Sequence, residues 1–169
     1  MYFSLISIAK GAEIVVKAAM KCHSCEFHFY GDIDSSYYDV FFNEIKSLKN
    51  IHYHGLFKGA TDEVYKELKK YDALLLPTKW FAEGVPGILV ESKIAGIPAI
   101  VSNHNYNSEI VLNDVDGIVM NSIDEVSLSE CINKINKPVV LCRLREGAKK
   151  SAQRFYIENY ITKIINVLQ

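Results

Sequence analysis

Short apolar runs alternate along the chain with segments in which apolar side chains recur at helical spacing. This is the pattern of successive β–α units around a parallel sheet. The apolar runs predict strands over Tyr2 to Ile6, Glu26 to Tyr30, Ile51 to His54, Ala73 to Leu76, Pro98 to Val101 and Gly117 to Met120. Between them, helices are predicted over Ala12 to Lys21, Tyr37 to Leu48, Asp62 to Lys70, Ile88 to Ala95 and Ser108 to Leu112. The segment Ala73-Leu74-Leu75-Leu76 is apolar on both faces, as a central parallel strand must be, and Pro77 stops it. The last third changes character, with helices predicted over Glu125 to Ile135, Leu141 to Gln153 and Phe155 to Leu168, and Pro138 separating the first two. The expectation is a doubly wound (Rossmann-like) α/β fold with a parallel sheet of about six strands and a helical C-terminal tail, one domain over residues 1–169. Such sheets bind ligands in the loops at the carboxyl ends of their strands.

Composition narrows the ligand classes. With 169 residues the chain suits one domain, and a net charge of −1 offers no general attraction to nucleic acid or an anionic membrane. Any phosphate site must therefore be local. The four cysteines fit reduced thiols in a chain of this size, no apolar run approaches a membrane span, and no signal peptide opens the sequence. A cytoplasmic setting is expected.

The loop after the fourth strand carries most of the chemistry. Pro77 leads through Glu83, Gly84, Val85, Pro86 and Gly87 into a helix that ends at Gly96, a suitable C-terminal cap with Pro98 beyond it. Glycines at a strand-to-helix turn let backbone approach a ligand, and the helix start presents free N–H groups. An anion placed there gains roughly 0.3–1 kcal/mol from the helix dipole, up to ~2 when partly buried. Glu83 and Glu91 flank this turn. Ionised carboxylates only accept hydrogen bonds, so they suit sugar hydroxyls and repel phosphate. Hydroxyls on either side of a diphosphate describe a nucleotide sugar. On spacing alone, a solvated loop glutamate and a helix glutamate explain the pair equally well.

A set of motifs shifts that balance. Glu83-Gly84-Val85-Pro86-Gly87-x-x-x-Glu91 is followed by Ala95-Gly96-Ile97-Pro98 and Asn107-Ser108-Glu109-Ile110. Lys10-Gly11, Tyr30-Gly31 and His54-Gly55 follow the first three strands, and Asp72 opens the fourth. In this order they resemble the C-terminal, donor-binding domain of family-four glycosyltransferases of the GT-B fold, particularly bacterial capsular and exopolysaccharide enzymes. The resemblance implies a retaining transfer of sugar from a nucleoside-diphosphate sugar to a growing polysaccharide or lipid-linked glycan acceptor. It implies that Glu83 contacts donor-sugar hydroxyls, Glu91 binds the ribose, and N–H groups around Gly84, Val85 and Gly87 meet the diphosphate. Lys10 matches the residue that neutralises the departing diphosphate, and Leu56, Phe57 and Lys58 match the segment beside the base. It implies no metal, no other cofactor and no nucleic-acid partner.

Two departures qualify the resemblance. The resemblance implies an Arg where this chain has Leu5, and a hydrogen bond to a charged group contributes roughly 1.5–3 kcal/mol. The N-terminal acceptor-binding domain of GT-B enzymes has no counterpart among these residues. The isolated chain is thus expected to bind nucleotide without turning over, needing that domain or a partner chain, which would also bring it to the inner membrane face. The alternative is a non-catalytic nucleotide-sugar-binding subunit or a gene fragment. An unrelated doubly wound protein, of redox or response-regulator type, has less support, since no acidic cluster follows the first strand.

Other residues invite chemistry less strongly. Cys22-His23-Ser24-Cys25 has zinc or redox spacing, but it follows a helix, and only His23 and His28 lie near to complete a metal site. A plain loop is the better reading. His104, with Asn103 and Asn105, reads as a surface loop before it reads as a donor contact, and Ser108 with Glu109 as helix capping. Phe155, Tyr156 and Tyr160 read as the packing face of the last helix, part of which the resemblance leaves exposed.

Overall fold

The computed structural model describes residues 1–168; Gln169, the last residue of the expected domain, lies outside the described residues. Six parallel strands form one sheet: β1 (Tyr2–Phe3), β2 (Phe27–Tyr30), β3 (Ile51–Tyr53), β4 (Leu74–Leu76), β5 (Ala99–Ser102) and β6 (Gly117–Met120), ordered β3-β2-β1-β4-β5-β6. This is the doubly wound arrangement, with its reversal between β1 and β4. Alternation along each strand sorts the core into two layers. Tyr2, Phe29, Leu75, Ile100 and Ile118 face one way, where α1 (Ala12–Ala19), α2 (Tyr38–Ile45) and α6 (Glu125–Ile135) cover them. Phe3, Tyr30, Leu74, Leu76, Ala99 and Val101 face the other way, beneath α3 (Thr61–Leu68) and α4 (Gly87–Ala95). The short α5 (Asn107–Ile110) follows β5, while α7 (Pro138–Ala152) packs on α4 and α6.

Several boundaries differ from expectation, each for a local reason. β1 ends at Phe3 rather than Ile6, because the chain beyond it keeps only an isolated bridge from Ile6 to Ile33. Pro138 does not lie between two helices; it opens α7 as its first helical residue, where its missing N–H costs nothing. The last helix, α8 (Glu158–Leu168), starts later than expected, after a 3₁₀ turn at Gln153–Phe155 and an extended Tyr156. Phe155 and Tyr156 therefore precede that helix instead of lying on it, and Tyr156 and Tyr160 are both substantially exposed. Gly96 caps α4 at φ +75°, as its position suggests.

Two charged groups are embedded in the layer that holds α4. Lys93 is 2% and Asp116 0% exposed, with Nζ and Oδ2 2.7 Å apart. The other Asp116 oxygen accepts the Leu112 N–H at 2.9 Å. The pair joins the last turn of α4 to the turn before β6. Burial pulls the Lys93 amine below its ordinary pKa, with Asp116 opposing the shift.

A second cluster lies on the β2–β3 edge. His28 stacks between His52 and His54, with ring centroids 4.7 and 5.2 Å away, and Tyr71 tilts against it at 4.9 Å. Burial, then the neighbouring His52 and His54 imidazoles, pushes His28 from 6.5 down to about 4.

Two outcomes follow. Asp116→Ala strands a buried ammonium and should lower stability by about 3–5 kcal/mol in urea denaturation, whereas Lys93→Met with Asp116→Asn should recover most of that loss. Because His28 is held neutral when folded, its contribution is complete above about pH 6.5 and falls as pH drops toward about 4, the unfolded state alone taking up the proton. His28→Gln should flatten that part of a stability–pH profile.

Candidate active site

The reversal between β1 and β4 leaves their two exit loops facing each other. After β1 the chain turns through Ser7 and Ile8 to Lys10, whose N–H donates to Ser7 Oγ at 3.2 Å. Gly11 then enters α1 at φ +75°, and a Cβ there would lie 2.2 Å from the Pro77 carbonyl oxygen. Only glycine permits so close an approach of the two loops. The Lys79 N–H donates to the Ala9 carbonyl at 3.0 Å and fastens them together.

At this junction Lys10 and Glu83, 73 positions apart in sequence, meet. Lys10 Nζ donates to Glu83 Oε2 at 2.7 Å, and their side chains are only 10% and 11% exposed. Thr78 Oγ1 donates to the same oxygen at 2.9 Å. Glu83 Oε1 accepts none of the described hydrogen bonds, so half the carboxylate is available to a ligand. The Lys10 ammonium also lies 4.1 Å from the centroid of the Trp80 ring, a cation–π contact.

A polar network behind the loop sets its shape. Ser102, at the end of β5, donates to the Thr78 carbonyl at 2.5 Å, and buried Asn107 donates to Ser102. The Asn105 amide donates to the carbonyls of Trp80, Phe81 and Glu83 at 3.4, 3.2 and 2.9 Å. The His104 ring donates from Nε2 to the Trp80 carbonyl at 2.9 Å, so this histidine braces the loop. Sequence reasoning missed Thr78 and Ser102 as parts of the site, and read Asn105 as a surface-loop residue before a cleft one. The one available signal was polar Ser102 ending an otherwise apolar strand.

The turn into α4 is open. A Cβ on Gly84 or Gly87 would meet nothing within 4 Å, and no side chain caps the helix. Among the described residues, no hydrogen bond uses the N–H of Gly84, Val85, Gly87 or Ile88. No acidic side chain stands in the first turn, so the positive end of the helix dipole faces outward uncompensated. Glu91 is the fifth residue of α4, partly buried, and burial raises its carboxyl pKa. Leu56 is exposed, whereas the Phe57 ring packs inward against Phe3 and Tyr30. Phe57 and Lys58 border a hollow of about 340 Å³ shared with Glu63 and Lys66 of α3. Leu5, in place of the expected arginine, is 40% exposed where the chain leaves β1.

A roomier cavity than the Phe57–Lys58 hollow lies elsewhere. About 560 Å³ opens at the amino ends of the strands, among Phe27, Tyr71, Ala73, Ile132 and Leu141. Cys22 and Cys25 are free thiols in the loop after α1, and no group of three potential ligands is placed to hold a metal among the described residues.

Residues 2–154 match the pattern of glycosyl transferases group 1. This chain belongs to that family. It is 29% identical over 105 residues to the Vi polysaccharide biosynthesis protein VipC/TviE of Salmonella typhi, which covers 62% of this chain and 18% of that protein. It is 30% identical over 110 residues to the Escherichia coli UDP-Gal:alpha-D-GlcNAc-diphosphoundecaprenol alpha-1,3-galactosyltransferase, covering 64% and 28%. The chain therefore spans less than a third of the length of these curated relatives. Its fold matches Anabaena HepE, solved in complex with UDP, with a TM-score of 0.86 at 19% identity over 99% of this chain and 47% of that one. The doubly wound α/β fold with a helical C-terminal region is thus both the expected and the observed one, and among the described residues no helix is long and apolar enough to cross a membrane.

Glu83 is expected to hold its geometry only with both donors present. Thr78→Val removes one bond to Oε2 and should cost about 0.5–1.5 kcal/mol in thermal or urea unfolding, while Lys10→Met leaves an unpaired buried carboxylate and should cost more.

Proposed function

We propose that the chain is the donor-binding half of a retaining glycosyltransferase that moves a sugar from a nucleoside diphosphate to a growing polysaccharide or lipid-linked glycan. One observation carries this reading: the Lys10–Glu83 pair stands at the strand-order reversal, beside an uncapped helix start. The UDP bound to HepE and the UDP-galactose specificity in the name of the E. coli relative support a uridine diphosphate donor.

The diphosphate would lie against the N–H groups of Gly84, Val85 and Gly87 at the start of α4. Glu83 Oε1 would accept hydroxyls of the donor sugar, Glu91 would accept those of the ribose, and the segment Leu56 to Lys58 would border the base. As the sugar–phosphate bond breaks, negative charge gathers on the leaving diphosphate. Lys10, an ammonium with donors beyond the one given to Glu83, would neutralise that charge next to the helix dipole. On this reading neither metal nor other cofactor takes part, because the ammonium and helix end serve the role of a cation. The acceptor would come from a further domain or partner chain, so this stretch alone binds donor and does not turn over. Free thiols fit a cytoplasmic setting, with any approach to the inner membrane face made through that partner.

A second reading, a non-catalytic donor-binding subunit, draws on Leu5. An apolar side chain there supplies no charge to the diphosphate.

Calorimetric titration with uridine, thymidine and guanosine diphosphates tests the site. Binding of at least one is expected. Lys10→Ala and Glu91→Ala should each weaken it by about tenfold or more, and Leu5→Arg should strengthen it by about tenfold. Failure of every nucleoside diphosphate to bind contradicts the donor-site reading.

A further inference from the structure

We propose that Phe81 is a stacking platform for the apolar face of a hexopyranose ring, beside the carboxylate that takes the ring's hydroxyls. The proposal rests on the donor-site reading above. Phe81 is 85% exposed, more than any other large apolar side chain described. Left to itself, an aromatic ring on a loop folds back against nearby apolar surface. This loop is prevented from doing so. The Asn105 amide holds the carbonyls of Trp80, Phe81 and Glu83, the His104 ring holds Trp80 again, and the Glu83 N–H closes back to the Trp80 carbonyl at 3.1 Å. Asn105 does this from φ +46°, a left-handed conformation that asparagine tolerates better than most residues. Three polar elements thus fix a backbone whose apolar side chain points into water.

Its neighbours define what fits there. The adjacent Trp80 ring is engaged by the Lys10 ammonium and is 37% exposed, so Phe81 is the most open aromatic ring of the loop. Two residues on, Glu83 offers an unengaged Oε1. A pyranose has an apolar face of C–H bonds and an equatorial rim of hydroxyls, and an aromatic ring next to a carboxylate matches both. The same chemistry is present in a donor hexose and in an acceptor saccharide.

Trp80 is the single tryptophan of the chain, so its fluorescence reports on this loop without labels. The full chain and its Phe81→Ala and Phe81→Tyr variants are titrated with UDP, UDP-glucose, UDP-galactose, and gluco- and galacto-oligosaccharides with UDP present. Phe81→Ala should weaken hexose-bearing ligands by about three- to tenfold and leave UDP within about twofold, with Phe81→Tyr retaining wild-type affinity. Loss confined to the UDP-hexoses assigns the platform to the donor sugar, and loss confined to the oligosaccharides assigns it to the acceptor. Unchanged affinity for every hexose ligand in Phe81→Ala overturns the proposal, as does wild-type protein that gains no binding from a hexose. Wild-type protein that binds no UDP at all contradicts the donor-site reading instead, while the oligosaccharide arm still tests Phe81.

Discussion

The ion pair between Lys10 and Glu83 bridges the two loops that the sheet reversal sets face to face. It is nearly excluded from water, and Thr78 adds a second donor to the same carboxylate oxygen. Removing either charge leaves the other desolvated without its counter-charge, so the loops are tied by mutual need. Gly11 makes the approach sterically possible and the Lys79–Ala9 backbone bond secures it. Everything assigned to the site is arranged around this junction: the open helix start, the free oxygen of Glu83 and the braced aromatic loop.

Rigidity behind the junction matters as much as the junction itself. The start of α4 faces the crevice while its last turn is anchored by the buried Lys93–Asp116 pair and closed by the turn at Gly96. A site held on elements with fixed supports keeps its donors aligned before a ligand arrives, which reduces the ordering cost of binding. The polar chain from Asn107 through Ser102 to Thr78 has the same effect on the β4 loop.

Much of this was legible in the sequence because periodicity reports burial. The all-apolar Leu74–Leu76 segment identified a central strand, and the bounds of β6 and α6 matched their patterns. Ends were less legible. Tyr2 to Ile6 has strand composition throughout, yet the ladder stops at Phe3, since pairing depends on where a neighbour runs and not on propensity. Pro138 carries two meanings, breaker or first helical residue, and only its surroundings choose. At the site, Glu83 and Lys10 were legible as candidates, and the structure brings them into direct contact. The bracing bonds from Asn105 and Ser102 were not legible, because a hydrogen bond across more than twenty residues leaves no periodic trace in a single sequence.

Two places on the molecule compete for a ligand: the junction at the carboxyl ends of the strands and the cavity of about 560 Å³ at their amino ends. The direct measurement is amide chemical-shift mapping of the chain as UDP-glucose is added. The account predicts that shifts concentrate on Lys10, Gly84, Val85, Gly87 and Ile88, with Phe27, Ala73 and Ile132 unmoved. Shifts centred on Phe27, Ala73 and Ile132, with the α4 turn silent, would contradict it.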